Sequence, residues 1–314
     1  MGTMTHPMQK PRALKPGDRI SVISPASPCV REDLDRGMAE IRRLGFTPIC
    51  EASALDRTGF TAGSPTVRAA AFRTAWCDPS ASALIAARGG YGSVHLLETL
   101  TTWDLTERPK LFIGYSDNTS LLAWLTTRQH ITALHGPMIE GRLAQGASGY
   151  DEASFLALVQ GRGAGLELRP EGLETLSPGD ATGPMHGGTM TQLCASLGTP
   201  FAFDPPPGSV LFLEDVNERP YKLDRLLTQL RLSGILSRAV ALAFGEMPGC
   251  DEPGGEYTAR ETIRSATADF AGPILFGFPS GHATGPCWSL PLGVAVRVRG
   301  GGRPSLVVEE SPVE

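Results

Sequence analysis

The first stretch of alternating structure along the chain is residues 19–24, Arg-Ile-Ser-Val-Ile-Ser, a β-rich run that stops at Pro25. Residues 32–44 then place Leu34, Met38, Ile41 and Leu44 at helical spacing, with Gly45 behind them as a C-cap. Residues 46–50 are a second strand, and a helix over 67–76 stops before Pro79. Residues 83–87 form a third strand that runs into Arg88-Gly-Gly-Tyr-Gly92, followed by a helix over 93–100. A fourth strand, 110–114, leads into a helix over 116–127. Strands alternating with helices at this rhythm predict a doubly wound, largely parallel α/β sheet. Ligands on such sheets collect at the carboxyl ends of the strands, where Gly89, Gly90 and Ser116 fall.

Residues 161–183 are rich in Gly and Pro and are expected to link residues 1–160 to a second α/β domain, 184–314. In that second part a helix is expected over 186–197, opened by Gly187-Gly188, and strands over 210–214, 240–244 and 274–278. Residues 223–232 carry Leu223, Leu226, Leu227 and Leu230 on one helical face. Residues 294–299 alternate as an antiparallel closing strand would.

Length and composition narrow the function. At 314 residues the chain has room for two domains. Net charge is −5, so no global field draws it to nucleic acid or an anionic membrane, and a small molecule or peptide is the expected partner. The six cysteines are more than 20 residues apart, so no Cys-x-x-Cys metal or redox pair exists and buried reduced thiols are expected. No signal-peptide core or apolar run of membrane-spanning length stands in the sequence, which points to a cytoplasmic protein with a loose lead-in of about ten residues.

The candidate chemistry lies at three strand ends. Ser116 sits between an apolar strand and a helix, with Gly114 permitting a sharp turn and unpaired helix-start N–H groups behind it. An ordinary helix-capping serine would occupy the same place. Glu214 and Asp215 end the strand 210–214, and a buried carboxylate there requires partners, although Asp215 also suits a cap. Asp117 is a further acid whose position favours a role for its backbone. Among the histidines, His6 falls in the lead-in, His95 and His130 on the surface, and His135 and His186 in loops. His282 directly follows a buried strand. Ser, Glu and His at three strand ends together suggest a nucleophile, an orienting acid and a base.

The sequence resembles the LD-carboxypeptidase family of serine peptidases (family S66), which includes muramoyl-tetrapeptide carboxypeptidases and microcin C immunity peptidases. The resemblance rests on blocks in the family's order: Gly17-Asp-Arg-Ile-Ser-Val-Ile-Ser-Pro25, Arg88-Gly-Gly-Tyr-Gly92, Gly114-Tyr-Ser-Asp117, His135-Gly-Pro137, Gly198-Thr-Pro200, Leu211-Phe-Leu-Glu-Asp-Val216, Glu218-Arg-Pro-Tyr221 and Gly281-His282. It implies that Ser116 is the nucleophile, His282 the base and Glu214 its orienting acid. It also implies an oxyanion hole from backbone N–H groups of Asp117, Gly90 and Gly89, a barrel-like sheet in the C-terminal domain, a homodimer, and no metal or cofactor. Two departures are Thr189, where the family often has Asn, and Ala283-Thr-Gly-Pro-Cys-Trp288 after His282.

The expected reaction is release of terminal D-Ala across an L-to-D peptide bond in cell-wall recycling. The short span between Ser116 and Glu214 favours this branch over the immunity peptidases. Arg88 or Arg219 could hold the substrate's terminal carboxylate. An α/β-hydrolase esterase shares the residue order but not the Gly-x-Ser-x-Gly turn, since Asn118 follows Asp117 here. A non-catalytic two-domain binding protein would leave Ser116, Glu214 and His282 far apart. A nucleotide-dependent enzyme lacks its phosphate loop.

Overall fold

The computed structural model describes residues 7–50 and 52–314. His6 and most of the expected lead-in lie outside them, and Gln9, near its end, bridges Ile131.

The first part of the chain runs β1 (Arg19–Ile23), α1 (Arg31–Arg43), β2 (Thr47–Cys50), α2 (Pro65–Cys77), β3 (Ala81–Ala86), α3 (Leu97–Leu100), β4 (Leu111–Gly114), α4 (Thr119–Thr127), β5 (Ala133–His135) and α5 (Glu152–Val159). Local chemistry accounts for the boundaries. Glu32 and Asp33 in the first turn of α1 and Arg42 and Arg43 in its last complement the helix dipole. Ser64 accepts the Val67 N–H at 3.3 Å ahead of Pro65, which opens α2.

The chain continues β6 (Glu167–Leu168), β7 (Glu174–Ser177), β8 (Gly179–Thr189), α6 (Met190–Ser196), β9 (Ser209–Glu214), α7 (Pro220–Leu232), β10 (Ala239–Gly245), α8 (Ala259–Ala266), β11 (Ile274–Phe278), β12 (Leu290–Leu292), β13 (Ala295–Gly300) and β14 (Ser305–Val308).

Two sheets result. The first has the order β12-β5-β4-β3-β1-β2 and is parallel except for β12, which returns from late in the chain to pair antiparallel with β5. The second has the order β6-β14-β13-β8-β9-β10-β11-β7, with β8 to β11 parallel and antiparallel strands on both flanks. It curls into a half-barrel. Thr175 of edge strand β7 exchanges hydrogen bonds of 2.9 and 3.0 Å with Gly301, just past β13. This is the doubly wound sheet that the residue pattern predicts, plus the barrel-like sheet that the family resemblance implies.

Alternation along β9 explains why that strand is buried throughout. Val210 and Phe212 point into the large core shared with the first sheet, while Leu211 and Leu213 join a second core with Leu223, Leu227 and Leu230 of α7. Each such side chain stabilises the fold by about 1.5–3 kcal/mol through burial.

Two expectations are corrected. Residues 161–183 carry β6, β7 and the start of β8, because their glycines serve short turns between edge strands. Residues 186–189, expected at the head of a helix, are the end of β8, and the helix begins only at Met190. The reason lies at Gly187 and Gly188, with φ of 134° and 138°. A Cβ on Gly187 would stand 1.9 Å from the Phe212 carbonyl oxygen, and one on Gly188 would stand 2.7 Å from Thr119 Oγ1. The bare backbone lets β8 lie against β9 and lets α4 of the first layer press on β8.

Gly187→Ala therefore has no room to relax and is expected to destabilise by at least about 3 kcal/mol. Gly17 also has a positive φ, 87°, but open space around it, so Gly17→Ala should lose only about 1–2 kcal/mol. Urea unfolding of both variants checks this, and equal losses would contradict the packing argument.

Candidate active site

The strand ends of the two sheets converge. Ser116 follows β4 at φ 63°, a left-handed conformation that is uncommon for a residue with a Cβ. It opens a single 3-10 turn, 116–118, that leads into α4. The turn is braced from behind. The buried Asp117 carboxylate accepts the Ser93 N–H at 2.7 Å, and Asn118 Nδ2 donates to the Arg88 carbonyl at 3.1 Å. Asp117 is thus occupied in holding the turn, and its side chain takes no part in orienting a histidine.

The Gly89-Gly90 loop after β3 packs directly on Ser116. A Cβ on Gly89 would come within 2.8 Å of Ser116 Cβ and 2.9 Å of its Oγ, so only glycine leaves the hydroxyl room. Gly90, at φ 98°, leans instead on Ser27.

Glu214 ends β9 with no exposure at all. Its Oε2 accepts two hydrogen bonds from His282, from Nδ1 at 2.8 Å and from the backbone N–H at 3.0 Å. Its Oε1 accepts the hydroxyl of Thr189, the last residue of β8. Space for the carboxylate comes from Gly245 and Gly281, where a Cβ would stand 2.7 Å from Glu214 Cβ and 3.0 Å from its carboxyl group. Burial alone would raise the Glu214 pKa. The His282 and Thr189 hydrogen bonds and the two neighbouring imidazoles overcome it, and the carboxyl is held below the usual glutamate value. Burial likewise pulls His282 down, but the hydrogen bond and charge of Glu214 outweigh it and lift the imidazole above 6.5. The ion pair therefore contributes stability between those limits. It is lost as pH rises through the raised His282 value and as it falls through the lowered Glu214 value.

His282 lies on the loop after β11, and two side chains clamp that loop. Arg142 is buried and donates to the carbonyls of Gly281 at 2.8 Å, Ala283 at 2.9 Å and Gly285 at 3.0 Å. Ser280 is joined to His135 Nδ1 at 2.8 Å. The Tyr115 ring, one residue before Ser116, meets the His282 ring edge-on at 5.3 Å between centroids. Its buried hydroxyl, pushed up to about 12 chiefly by burial, also bonds Arg142. The residue before Ser116 thus lies against His282, while Ser116 and His282 make no direct hydrogen bond to each other.

His135 and His186, expected in loops, are strand residues in β5 and β8 and are buried. Burial pushes both down to about 4, so they are neutral. His95 is exposed as expected. Asp215 performs the capping expected of it, accepting the Thr191 N–H at 2.9 Å and hydroxyl at 2.8 Å in the first turn of α6, and burial lifts it to about 6. Arg219 stands before α7 and pairs at 3.0 Å with Glu252, which lines a groove together with Tyr221 and Tyr257. Arg88 lines a separate cleft beside Gly89. Sequence reasoning missed Thr189, Arg142 and Tyr115. Thr189 was visible only as a departure from Asn after Gly187-Gly188, and Tyr115 as the neighbour of Ser116. Among the described residues no cluster suits a metal ion, and no helix is long and apolar enough to cross a membrane.

Comparison with known proteins finds one family in both halves of the chain. The LD-carboxypeptidase N-terminal domain matches residues 20–136, and the LD-carboxypeptidase C-terminal domain matches residues 182–298. A putative carboxypeptidase of Synechocystis is 33% identical over 96% of this chain and 97% of its own. The chain belongs to the LD-carboxypeptidase family. A probable murein peptide carboxypeptidase of Bacillus subtilis is 30% identical over 90% of this chain and 89% of its own. The solved muramoyltetrapeptide carboxypeptidase of Oxalobacter formigenes superposes with a TM-score of 0.81 at 25% identity, covering 94% of this chain and 100% of that one. In LD-carboxypeptidase terms the site straddles both modules: Gly89 and Ser116 come from the first, and Thr189, Glu214 and His282 from the second.

Histidine-labelled NMR titration should find two imidazoles titrating near 4, His135 and His186, and one, His282, above 6.5. Glu214→Gln removes the charge and should lower the His282 value. An unperturbed His282, or one indifferent to Glu214→Gln, would contradict the electrostatics.

Proposed function

We propose that this family member is a serine LD-carboxypeptidase that releases terminal D-Ala from muropeptide tetrapeptides. The observation that carries the reading is the His282–Glu214 contact at 2.8 Å, with the ring of Tyr115, the residue before the left-handed Ser116, set edge-on against His282. In this mechanism His282 Nε2 takes the Ser116 hydroxyl proton as Oγ bonds to the carbonyl carbon of the L-to-D peptide bond. Glu214 fixes the tautomer, because its hydrogen bond occupies Nδ1 and leaves Nε2 to accept. The backbone N–H groups of Asp117, Gly90 and Gly89 bind the oxyanion, each worth about 100- to 1,000-fold in rate. Collapse returns the proton from Nε2 to the departing amine, and D-Ala leaves. Water, activated by the same imidazole, then hydrolyses the acyl-serine.

The murein peptide and muramoyltetrapeptide activities named for the relatives support this substrate. The reaction needs no metal or cofactor, because the backbone donors supply the electrostatic stabilisation.

Incubation with purified tetrapeptide should release one D-Ala per peptide, read as mass loss. Ser116→Ala should lower kcat/KM by at least about 1,000-fold and leave stability within about 0.5 kcal/mol. Comparable activity in that variant would end the serine reading. The pH profile carries a second signature. Only neutral His282 can accept the proton, and its pKa is raised. The acid limb of kcat/KM should therefore break above 6.5, with activity falling as pH drops through that point. A break at or below 6.5 would assign the base elsewhere.

A further inference from the structure

Beside the Gly89-Gly90 loop lies a cleft of about 550 Å³ lined by Ser27, Pro28, Arg57, Phe60, Arg88 and Tyr91, and the Arg88 guanidinium approaches within 3.8 Å of where a Cβ on Gly90 would stand. It takes no part in the proton relay, yet the site fixes its position. Arg88 directly precedes Gly89, whose α-carbon packs on Ser116, and its carbonyl is held by Asn118, two residues past Ser116. One hydroxyl pins both walls: Ser27 Oγ donates to the Phe60 carbonyl at 2.7 Å and accepts the Tyr91 N–H at 3.1 Å.

Two guanidinium groups line the cleft, and Arg88 also donates to the Pro28 carbonyl at 3.3 Å. Arg88 shares Glu140 at 3.3 Å, and Glu140 is also occupied by the Val30 N–H at 2.8 Å. Arg57 is exposed and pairs with no carboxylate among the described residues. The same cleft is lined by the exposed rings of Phe60 and Tyr91, 81% and 51% accessible, an unusual amount of aromatic surface unless something apolar covers it. Two guanidinium groups beside aromatic walls suit a carboxylate carried on a residue with a small apolar side chain. A continuing peptide would offer neutral amide in place of that charge.

We propose that Arg57 and Arg88 bind the free carboxylate of the departing residue, so that this cleft is the leaving-group subsite and restricts the enzyme to chain ends. The proposal rests on the reading of Ser116 as nucleophile. It gives Arg88 the role that sequence left open between Arg88 and Arg219, and adds Arg57, which no motif singles out.

The test is a pair of tetrapeptides that differ only at the terminus, one a free acid and one a carboxamide, assayed with wild type, Arg57→Gln, Arg88→Gln and the double variant. Wild type should favour the acid by about 10- to 100-fold in kcat/KM, the worth of a charge-assisted contact. The variants should bring the acid down toward the amide, so that the preference vanishes in the double variant. Arg88 borders the Ser116 loop and its loss could disturb that loop, whereas Arg57 touches no residue of the relay and keeps the result interpretable. Equal cleavage of acid and amide by wild type overturns the proposal. So does a loss in Arg57→Gln that falls equally on both peptides. Failure of the parent reading looks different: no Ser116-dependent turnover of either peptide, which removes both ideas together.

Discussion

A carboxylate withdrawn completely from water is the constraint around which the rest of this molecule is arranged. Glu214 has no exposed surface, and an unpaired charge there would neutralise itself by a raised pKa. It stays ionised because every direction around it supplies a donor: Nδ1 and the backbone N–H of His282 on one oxygen, the Thr189 hydroxyl on the other. Those donors come from the ends of β8 and the loop after β11, so the carboxylate also fixes how three parallel strand ends meet. The cost of burial is offset only when all three partners are in place, which ties the chemistry of the site to the folding of the second sheet.

The second requirement is closeness between layers. Ser116 belongs to the first sheet and His282 to a loop of the second, and side chains at the wrong positions would hold them apart. Glycine removes the obstruction at Gly188 against α4, at Gly89 against Ser116, and at Gly245 and Gly281 around the carboxylate. Thr119 Oγ1, three residues beyond Ser116, then accepts the Thr189 N–H at 3.1 Å and joins the two layers directly. Arg142 and Tyr115 complete the bridge, since one guanidinium holds the carbonyls on both sides of His282 while meeting the hydroxyl of the serine's neighbour.

Much of this was legible in the residues and some was not, for identifiable reasons. The βα rhythm of the first sheet and the strand at 209–214 follow from local apolar pattern, which short range order determines. Strands β6, β7, β12 and β14 are two to four residues long and gain their pairing from distant partners, so no local periodicity marks them. Gly187-Gly188 suggested a helix start, but the deciding fact is the approach of Phe212 and Thr119, contacts across 25 and 69 positions of chain. At the site, Ser116, Glu214 and His282 announced themselves as reactive types at strand ends. Arg142 did not, because a buried arginine serving three carbonyls looks in sequence like any surface arginine. His135 and His186 were misplaced in loops because nothing local shows that a short strand passes through them.

The central claim is that Ser116 is made nucleophilic by an imidazole held from the opposite sheet. It is tested most directly by quenching the enzyme in acid during turnover of a tetrapeptide and reading the intact mass and the modified peptide. The account predicts a covalent acyl adduct confined to Ser116 and absent when His282 is replaced by alanine. Efficient turnover with no adduct at Ser116 under any quench, or an adduct that forms as readily without His282, would contradict it.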